Sequence, residues 1–420
     1  MKRERMLFWF VVMFSCLMIL MPVGAMAQNK VFKLGILAPL TGPAGKSGTE
    51  IKNGATMAFE KAGNKIGDYK VELVYIDDQS DAAKGTNAIS EAIERLGVQT
   101  IILNWNTAVT MAGMDVFNKY KVPFFFGMGA GKAINDKWSG LPADNRYLIM
   151  KGWCIPQKQV VGYVDCLNNA VDKGKWKPAK KIVALWGEDT DWGRSLIQGM
   201  RDGMKAKGWQ VFTEEYFALT QTDFYPFLSK CKAAGVTALL GSTTGTASVS
   251  AIIKQSHEIG IKAMLAADGL GWVGDWYKLV GPASDGVLDM IPQIATPAQK
   301  AFAQDFQKKY GFPPSPSAAG HSYDYANFLM KIAKKAIEKY GKLDAQSVYK
   351  IGVEEVLPGK LTYGAADGAL FHKKYGTTPQ DAPDPKVGQD DFYFPVVQYK
   401  GGQGKIVFPE AWKETELAVK

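Results

Sequence analysis

The sequence has few of the side chains that bind transition metals: its 420 residues include three histidines and four cysteines. His257, His321 and His372 are not spaced as a metal-binding pair on one helix, and no Cys-x-x-Cys motif occurs. The sequence therefore predicts no metal site.

The cysteines do not form the even set that a disulfide framework needs. After the N-terminal segment the chain holds Cys154, Cys166 and Cys231, so at least one thiol is unpaired within the chain. If a helix begins at Pro156, Cys154 and Cys166 lie roughly 15 Å apart along it, beyond the ~7 Å limit for a bridge. We expect a fold that does not depend on disulfides, and whether any pair forms stays open.

Catalytic and nucleotide-binding motifs are absent or incomplete. No Gly-x-Ser-x-Gly nucleophile motif occurs. A Gly-Lys-Ser tripeptide at residues 45–47 follows a predicted strand, but Leu40 stands where a phosphate-binding loop needs a glycine. Residues 269–274 match a dinucleotide fingerprint, but Trp272 adds bulk where the turn must clear a pyrophosphate. We expect no cofactor and no catalytic residue, and a secreted enzyme is the minority alternative.

The N-terminus has the three parts of a secretory signal peptide. Three basic residues occur among the first five, residues 6–21 form an uncharged apolar run, and a small-x-small motif ends at Ala27. A transmembrane anchor is the alternative, because about 20 apolar residues can span a bilayer. Pro22 and Gly24 break the run directly before the motif. This favours cleavage after Ala27 and a mature protein in the periplasm.

The net charge of +9 does not indicate a nucleic-acid-binding protein. Lysines alternate with acidic residues along the predicted helices, and no arginine-rich tract occurs, so a soluble basic surface is the simpler interpretation. The part after the signal peptide is longer than one typical core supports and suits two domains.

Short apolar runs alternate with amphipathic helical segments, which is typical of an α/β fold with parallel sheets. In the first half, strands are predicted at residues 32–39, 71–77, 100–103 and 123–126, and helices at 50–63, 81–96 and 107–120. In the second half, strands are predicted at 181–185, 210–216, 238–240 and 263–267, and helices at 192–207, 223–234 and 246–260. These units predict two doubly wound lobes.

The helical segments at 296–310 and 318–339 and a late strand at 392–399 indicate that the chain crosses between the lobes more than once. We expect one lobe from residues 30–149 and 292–360, a second from 150–291 and 361–413, a multi-strand hinge, and a C-terminal tail at 414–420.

Residues suited to binding a ligand gather where the predicted strands end. In open parallel sheets, ligands bind beyond the carboxyl ends of the strands. The segments expected there mix glycines, hydroxyls, tryptophans and an acid, and are residues 41–48, 104–109, 127–131, 187–192, 242–246 and 268–272. Thr107 opens a helix, so its hydroxyl and the free N–H groups beside it can hold a carboxylate. This mixture predicts a pocket for a small amphipathic molecule.

Several motifs together resemble the periplasmic solute-binding proteins of the branched-chain amino-acid transport type. They are KLGILAPLTGP at residues 33–43, VYIDDQSD at 74–81, D-x-x-W-G at 189–193, AADG at 266–269, YD at 323–324 and FPVVQY at 394–399. The resemblance covers nearly all of the chain after the signal peptide. It implies the type I periplasmic binding fold, whose two lobes close on a ligand and deliver it to a membrane ABC transporter.

The resemblance also implies roles for individual residues. Thr107 and the backbone of residues 128–130 would hold the ligand carboxylate, and Asp268 would pair with its amino group. The predicted ligand-binding set is Ser47, Trp105, Thr107, Met128, Ala130, Trp192, Thr244, Asp268 and Tyr323. Trp105 stands in a run that is usually small and hydroxyl-rich, Ala130 replaces a hydroxyl residue, and Thr244 replaces an aromatic one. These departures leave the exact ligand open.

We predict the ligand-binding component of an ABC importer, without enzymatic activity, for a hydrophobic or branched-chain amino acid. The alternative ligand is another small acid or amide, such as an aromatic carboxylate. Asp268 favours an α-ammonium group and opposes a simple anion unless it is protonated or paired elsewhere. A sensor ectodomain is a further class, which the lack of a second apolar segment of membrane length disfavours. The expected partners are the ligand and a membrane permease, with no nucleic acid, and the protein is expected to be a monomer.

Overall fold

The computed structural model describes residues 30–419, so the predicted signal peptide and its cleavage site after Ala27 lie outside the described residues. The strands are β1 (Val31–Ala38), β2 (Lys65–Ile66), β3 (Tyr69–Asp77), β4 (Thr100–Ile102), β5 (Phe124–Gly127), β6 (Leu148–Lys151), β7 (Ile182–Glu188), β8 (Gln210–Phe217), β9 (Ala238–Ser242), β10 (Met264–Asp268), β11 (Leu288–Met290), β12 (Tyr363–Gly364), β13 (Lys374–Tyr375), β14 (Val396–Lys400) and β15 (Gln403–Phe408). The α-helices are α1 (Gly45–Lys61), α2 (Ala82–Glu94), α3 (Thr107–Tyr120), α4 (Lys132–Gly140), α5 (Pro156–Gln159), α6 (Val161–Asp172), α7 (Asp191–Ala206), α8 (Tyr225–Ala233), α9 (Thr246–Glu258), α10 (Trp276–Val280), α11 (Pro297–Tyr310), α12 (Ala318–Tyr340) and α13 (Ala345–Ile351).

The first sheet has the strand order β2-β3-β1-β4-β5-β6. All its pairs are parallel except that between β2 and β3. Strands β4, β5 and β6 are buried along their whole length, as expected of parallel strands covered by helices on both faces. The carboxyl ends of β1, β3, β4, β5 and β6 therefore lie along one edge of the sheet.

The second sheet has the order β15-β14-β11-β10-β9-β7-β8. Its strands are parallel from β8 to β11, whereas β14 and β15 form an antiparallel hairpin that joins at β11. The C-terminal part of the chain thus completes a sheet that was begun by residues more than 100 positions earlier.

Helices α11 and α12 return to the helices of the first sheet. Helix α12 packs on α1 so closely that a Cβ added at Gly54 would lie 2.2 Å from the carbonyl oxygen of Ala319. Helix α11 begins at a capping box formed by Thr296 and Gln299 and ends at Gly311, whose φ is +82°. The discontinuous first lobe and its boundaries stay a prediction.

The predicted α/β class of two parallel-sheet units is confirmed. Helix α3 has the predicted bounds, and β10 begins and ends one residue later than predicted. The late strand was predicted too long, because β14 begins at Val396, after Pro395, which has no N–H to donate to a sheet. A helix expected to begin at Pro156 and run to Asp172 is divided into α5 and α6. Strands β6 and β11 were not predicted because they are short and wholly buried, so they show no alternation.

Three global features bear on function. Within residues 30–419, Cys154, Cys166 and Cys231 are buried free thiols. No helix in this described part is long and apolar enough to cross a membrane. The same residues contain no group of three His, Cys, Asp or Glu side chains placed to hold a metal ion.

Candidate functional site

A cavity lies between the two sheets, beyond the carboxyl ends of their parallel strands. The space between its lining atoms is about 520 Å³, a figure that includes open solvent at its mouth. The first half of the chain contributes Ser80, Trp105, Asn106, Thr107, Ala108, Met128, Ala130 and Trp153, and the second contributes Glu188, Thr190, Trp192, Leu219, Thr244 and Trp272.

Six of the predicted residues line this cavity: Trp105, Thr107, Met128, Ala130, Trp192 and Thr244. The other three do not. Ser47 is buried in α1, and Tyr323 lies on α12 with its ring 5.0 Å from that of Phe302, in a separate aromatic cluster. Asp268 is buried behind the cavity wall. The structure thus brings two thirds of the predicted set together, and the binding roles of all nine remain predictions.

On the side of the cavity formed by the first sheet, the backbone between β4 and α3 adopts an energetically unfavourable conformation. Leu103 and Asn104 have φ values of +68° and +146°, a region that non-glycine residues rarely occupy. The Asn104 side chain stabilises this turn, because its amide oxygen accepts hydrogen bonds from the Thr110 hydroxyl (3.1 Å) and the Gly129 N–H (3.3 Å). At the N-cap of α3, Asn106 makes no capping hydrogen bond with its side chain. The first N–H groups of α3 are therefore left for another acceptor, at the edge of the cavity.

The loop after β5 is held against α3 from two directions. The Thr107 hydroxyl accepts the N–H of Gly131 at 3.0 Å. The Lys151 ammonium donates to the Ala130 carbonyl oxygen (3.2 Å) and forms an ion pair with Asp384 (2.9 Å), and both charged side chains are buried. These contacts fix the main chain that carries Met128 and Ala130 into the cavity wall.

Four tryptophans form much of the cavity wall. The ring of Trp272 lies at the centre, with ring centroids 5.4 Å from Trp105, 6.0 Å from Trp153 and 6.1 Å from Trp192. The Trp153 N–H donates to Gln159 at 2.8 Å. The indole N–H groups of Trp105, Trp192 and Trp272 are buried and have no hydrogen-bond partner. Unpaired buried donors are rare, and these three belong to tryptophans that line one cavity.

On the second side, Glu188 ends β7 and lines the cavity with only 2% of its surface exposed. Its Oε1 accepts the Thr190 hydroxyl at 2.6 Å, and its Oε2 accepts both the N–H (2.5 Å) and the hydroxyl (2.7 Å) of Thr244. Burial raises the pKa of Glu188, and the threonine donors oppose this rise by favouring the charged form. The carboxyl group is therefore fixed in orientation and lies at the cavity.

Asp268 ends β10 in a different environment. Its Oδ2 accepts one hydrogen bond from Gln159 at 3.4 Å, and its Oδ1 has no partner. Burial, and then the charge of nearby Asp289, raise the pKa of Asp268 well above the ordinary value. The chain turns back directly after it, as residues 270–272 form one 3₁₀ turn that ends in Trp272. Trp272 lines the cavity, whereas Asp268 does not.

Two other buried acids hold the loop that carries Trp272. Asp289 accepts the N–H of Gly271 at 2.6 Å and the hydroxyl of Tyr399 at 2.8 Å. Glu50, on α1, accepts the N–H groups of Gly274 (2.6 Å) and Ser315. Burial raises the pKa of Glu50 to about 8. The loop is thereby attached to both its own sheet and α1 of the first half.

Several lining residues were not in the predicted set, chiefly Trp153, Glu188 and Trp272. Glu188 falls in segment 187–192, which was expected at a strand end, and Trp272 falls in segment 268–272. A strand-end acid that precedes a helix was the available signal for Glu188. Nothing in the sequence distinguishes its orientation from that of Asp268.

Comparisons with known proteins agree with this architecture. A family model described as periplasmic binding protein matches residues 31–378. The chain is 24% identical over 343 residues to Leu/Ile/Val-binding protein homolog 6 of Brucella suis biovar 1 (strain 1330), covering 79% of this chain and 83% of that protein. It is 23% identical over 414 residues to homolog 7 of the same strain, covering 94% of this chain and 95% of that protein.

Solved structures share the fold at low sequence identity. A solute-binding protein of an ABC transporter from Rhodopseudomonas palustris BisB5, in complex with 3,4-dihydroxy benzoic acid, matches with a TM-score of 0.70 and 21% identity, covering 89% of this chain and 95% of that chain. LivJ from Streptococcus pneumoniae, in complex with isoleucine, matches with a TM-score of 0.68 and 18% identity, covering 89% and 98%.

Proposed function

The chain belongs to the periplasmic binding protein family, and on this basis we propose that it is the ligand-binding component of an ABC importer for a hydrophobic or branched-chain amino acid. One observation carries the proposal: the uncapped N-terminus of α3 and the buried carboxyl group of Glu188 border the same cavity. A helix N-terminus favours a carboxylate, and a buried carboxylate favours an ammonium group. The two sides together suit a zwitterion.

The relatives support the same ligand class. Both curated relatives are named as Leu/Ile/Val-binding protein homologues, and one structural neighbour holds isoleucine. The apolar part of the cavity, from Met128, Ala130, Leu219 and the tryptophan rings, suits an uncharged side chain.

An aromatic carboxylate is the second candidate. The four tryptophans favour it, because aromatic rings pack edge to face or offset with one another. Solved neighbours from Rhodopseudomonas palustris are in complex with 3,4-dihydroxy benzoic acid and 4-hydroxybenzoate. With such a ligand the carboxylate would again lie at α3, and a ring hydroxyl would donate to Glu188.

The proposal includes location and mode of action. The predicted signal peptide would be cleaved after Ala27 and the mature monomer released into the periplasm. The cavity is lined from both sheets, so a bound ligand contacts both proposed lobes and shifts the equilibrium towards a closed state. The closed complex would then dock on a membrane permease. The family is a binding-protein family, and we propose that the ligand is released chemically unaltered.

A ligand screen tests the function. Thermal unfolding with leucine, isoleucine, valine and 4-hydroxybenzoate should show stabilisation by one class, since a ligand at 100 times its Kd adds about 2.7 kcal/mol. Small-angle scattering should show compaction with the same ligand, and mass spectrometry should recover it intact. Stabilisation by none of these compounds, or turnover of the bound one, would contradict the proposed function.

A further inference from the structure

Glu188 is the one ionisable side chain in the cavity wall formed by the described residues. The side chains of Thr190, Thr243 and Thr244 stabilise its charged form, and within residues 30–419 no lysine or arginine pairs with it. A buried charge without a partner of opposite sign is costly, and removal of a partner from such a pair is strongly destabilising. Residues 30–419 therefore supply no counter-charge for Glu188.

The donors already present show what the ligand must supply. Oε2 of Glu188 accepts two hydrogen bonds from Thr244 and Oε1 accepts one from Thr190, and the Thr243 side chain also favours the charged form. All of these donors are uncharged, so none of them balances the charge of Glu188. The three unpaired indole N–H groups are donors only, so none of them can accept a hydrogen bond from an ammonium group.

The tryptophan rings add to this preference. A cation near an indole face is attracted by the ring quadrupole, and tryptophan is the strongest of the aromatic side chains in this respect. The rings of Trp105, Trp153, Trp192 and Trp272 line the same cavity as Glu188. An ammonium group that lies over one of these ring faces would be attracted to it.

We propose that Glu188, and not Asp268, is the side chain that selects the ligand's ammonium group. This rests on the proposed function, in that the ligand is taken to be an amino acid. Asp268 is fully buried, does not line the cavity and lies near a second acid, Asp289.

Two ligands that differ only in the ammonium group test the assignment. Calorimetry should compare leucine with 4-methylpentanoate, which has the same skeleton without the amino group, on the full mature protein. Each ligand is measured with wild type, Glu188→Gln and Asp268→Asn. We expect Glu188→Gln to weaken leucine about 30-fold or more while leaving 4-methylpentanoate as tight or tighter. Asp268→Asn should preserve the preference of wild type for leucine.

A conservative variant separates selection from folding. Glu188→Asp keeps the negative charge, so this variant should still prefer leucine to 4-methylpentanoate even if both ligands bind more weakly. If Glu188 had only a structural role, Glu188→Gln would show the same preference for leucine as wild type. Loss of the preference in Asp268→Asn but not in Glu188→Gln would overturn the assignment and leave the proposed amino-acid function intact. Binding of 4-hydroxybenzoate with no binding of leucine, isoleucine or valine would overturn both.

Discussion

Two strands of the second sheet end in a buried acid, β7 in Glu188 and β10 in Asp268. After Glu188 the chain continues into α7 at Asp191, and the carboxyl group borders the cavity. After Asp268 the chain folds back into the turn ending at Trp272, whose ring covers that part of the wall. Equivalent positions at the ends of parallel strands therefore have different surroundings, because the path of the chain after the strand decides what each side chain contacts.

The buried acids on the two sides also differ in their hydrogen bonds. Glu188 has three donors from threonines and lies at open space. Behind Trp272, the acid with several donors is Asp289, which holds the turn through backbone N–H groups. We infer that the carboxyl groups on this side fix the position of a loop, whereas Glu188 is available to a ligand.

The largest effect should follow from removal of the acid that holds the loop. Asp289→Ala leaves the N–H groups of Gly269 and Gly271 and the hydroxyl of Tyr399 buried without an acceptor. At about 1–3 kcal/mol for each unpaired group, and with incomplete additivity, we expect the free energy of unfolding to fall by roughly 3–5 kcal/mol. Urea unfolding measures this value.

Asp285→Ala is the matched control, because Asp285 is exposed and accepts one backbone N–H, that of Gly401. The Asp285→Ala substitution should lower the free energy of unfolding by less than about 1 kcal/mol. If the two variants lowered stability equally, the scaffolding role of Asp289 would be wrong.

An intermediate effect should appear on the other side, at the donors of Glu188. Thr244→Val removes the hydroxyl that donates to Oε2 at 2.7 Å and keeps nearly the same shape. A hydrogen bond to a charged group contributes about 1.5–3 kcal/mol, so we expect leucine affinity to fall roughly 10-fold in calorimetry. Thr246→Val, at the start of α9, is the control, since the Thr246 hydroxyl has no hydrogen-bond partner within residues 30–419. Equal affinities in the two variants would show that the Thr244 hydroxyl does not support the site.

Much of the fold could be predicted because it depends on local patterns. Apolar runs and helical spacing identified the alternation of strands and helices, and Thr107 was expected at the start of a helix. Strands β6 and β11 were not predicted, because a run of three or four buried residues has no periodicity. The break between α5 and α6 lies at Val160, and Gly162 just after it is only a weak local signal for a break.

The site was predictable only in part, because it depends on orientation. Trp105, Thr107, Met128, Ala130, Trp192 and Thr244 line the cavity as a consequence of following parallel strands. Tyr323 was expected from family resemblance, but its ring packs against Phe302 in a separate aromatic cluster. The spacing of residues along the sequence predicts neither the burial of Asp268 nor the position of Glu188 at the cavity, because both depend on contacts between distant segments.

The smallest effect should come from the covered acid itself, and it should depend on pH. Burial and the charge of Asp289 raise the pKa of Asp268 in the folded protein above the unfolded value near 3.9. The folded state therefore binds more protons than the unfolded state above about pH 4, and this group's contribution to stability falls as the pH rises from there. Asp268→Asn removes the titration, so the stability of the variant relative to wild type should increase between about pH 4 and pH 7. Urea unfolding at several pH values measures it, and a difference that is constant with pH would mean that Asp268 has an ordinary pKa. In the same variant, leucine affinity should stay within about threefold of wild type, because a side chain behind Trp272 makes no contact with a ligand in the cavity.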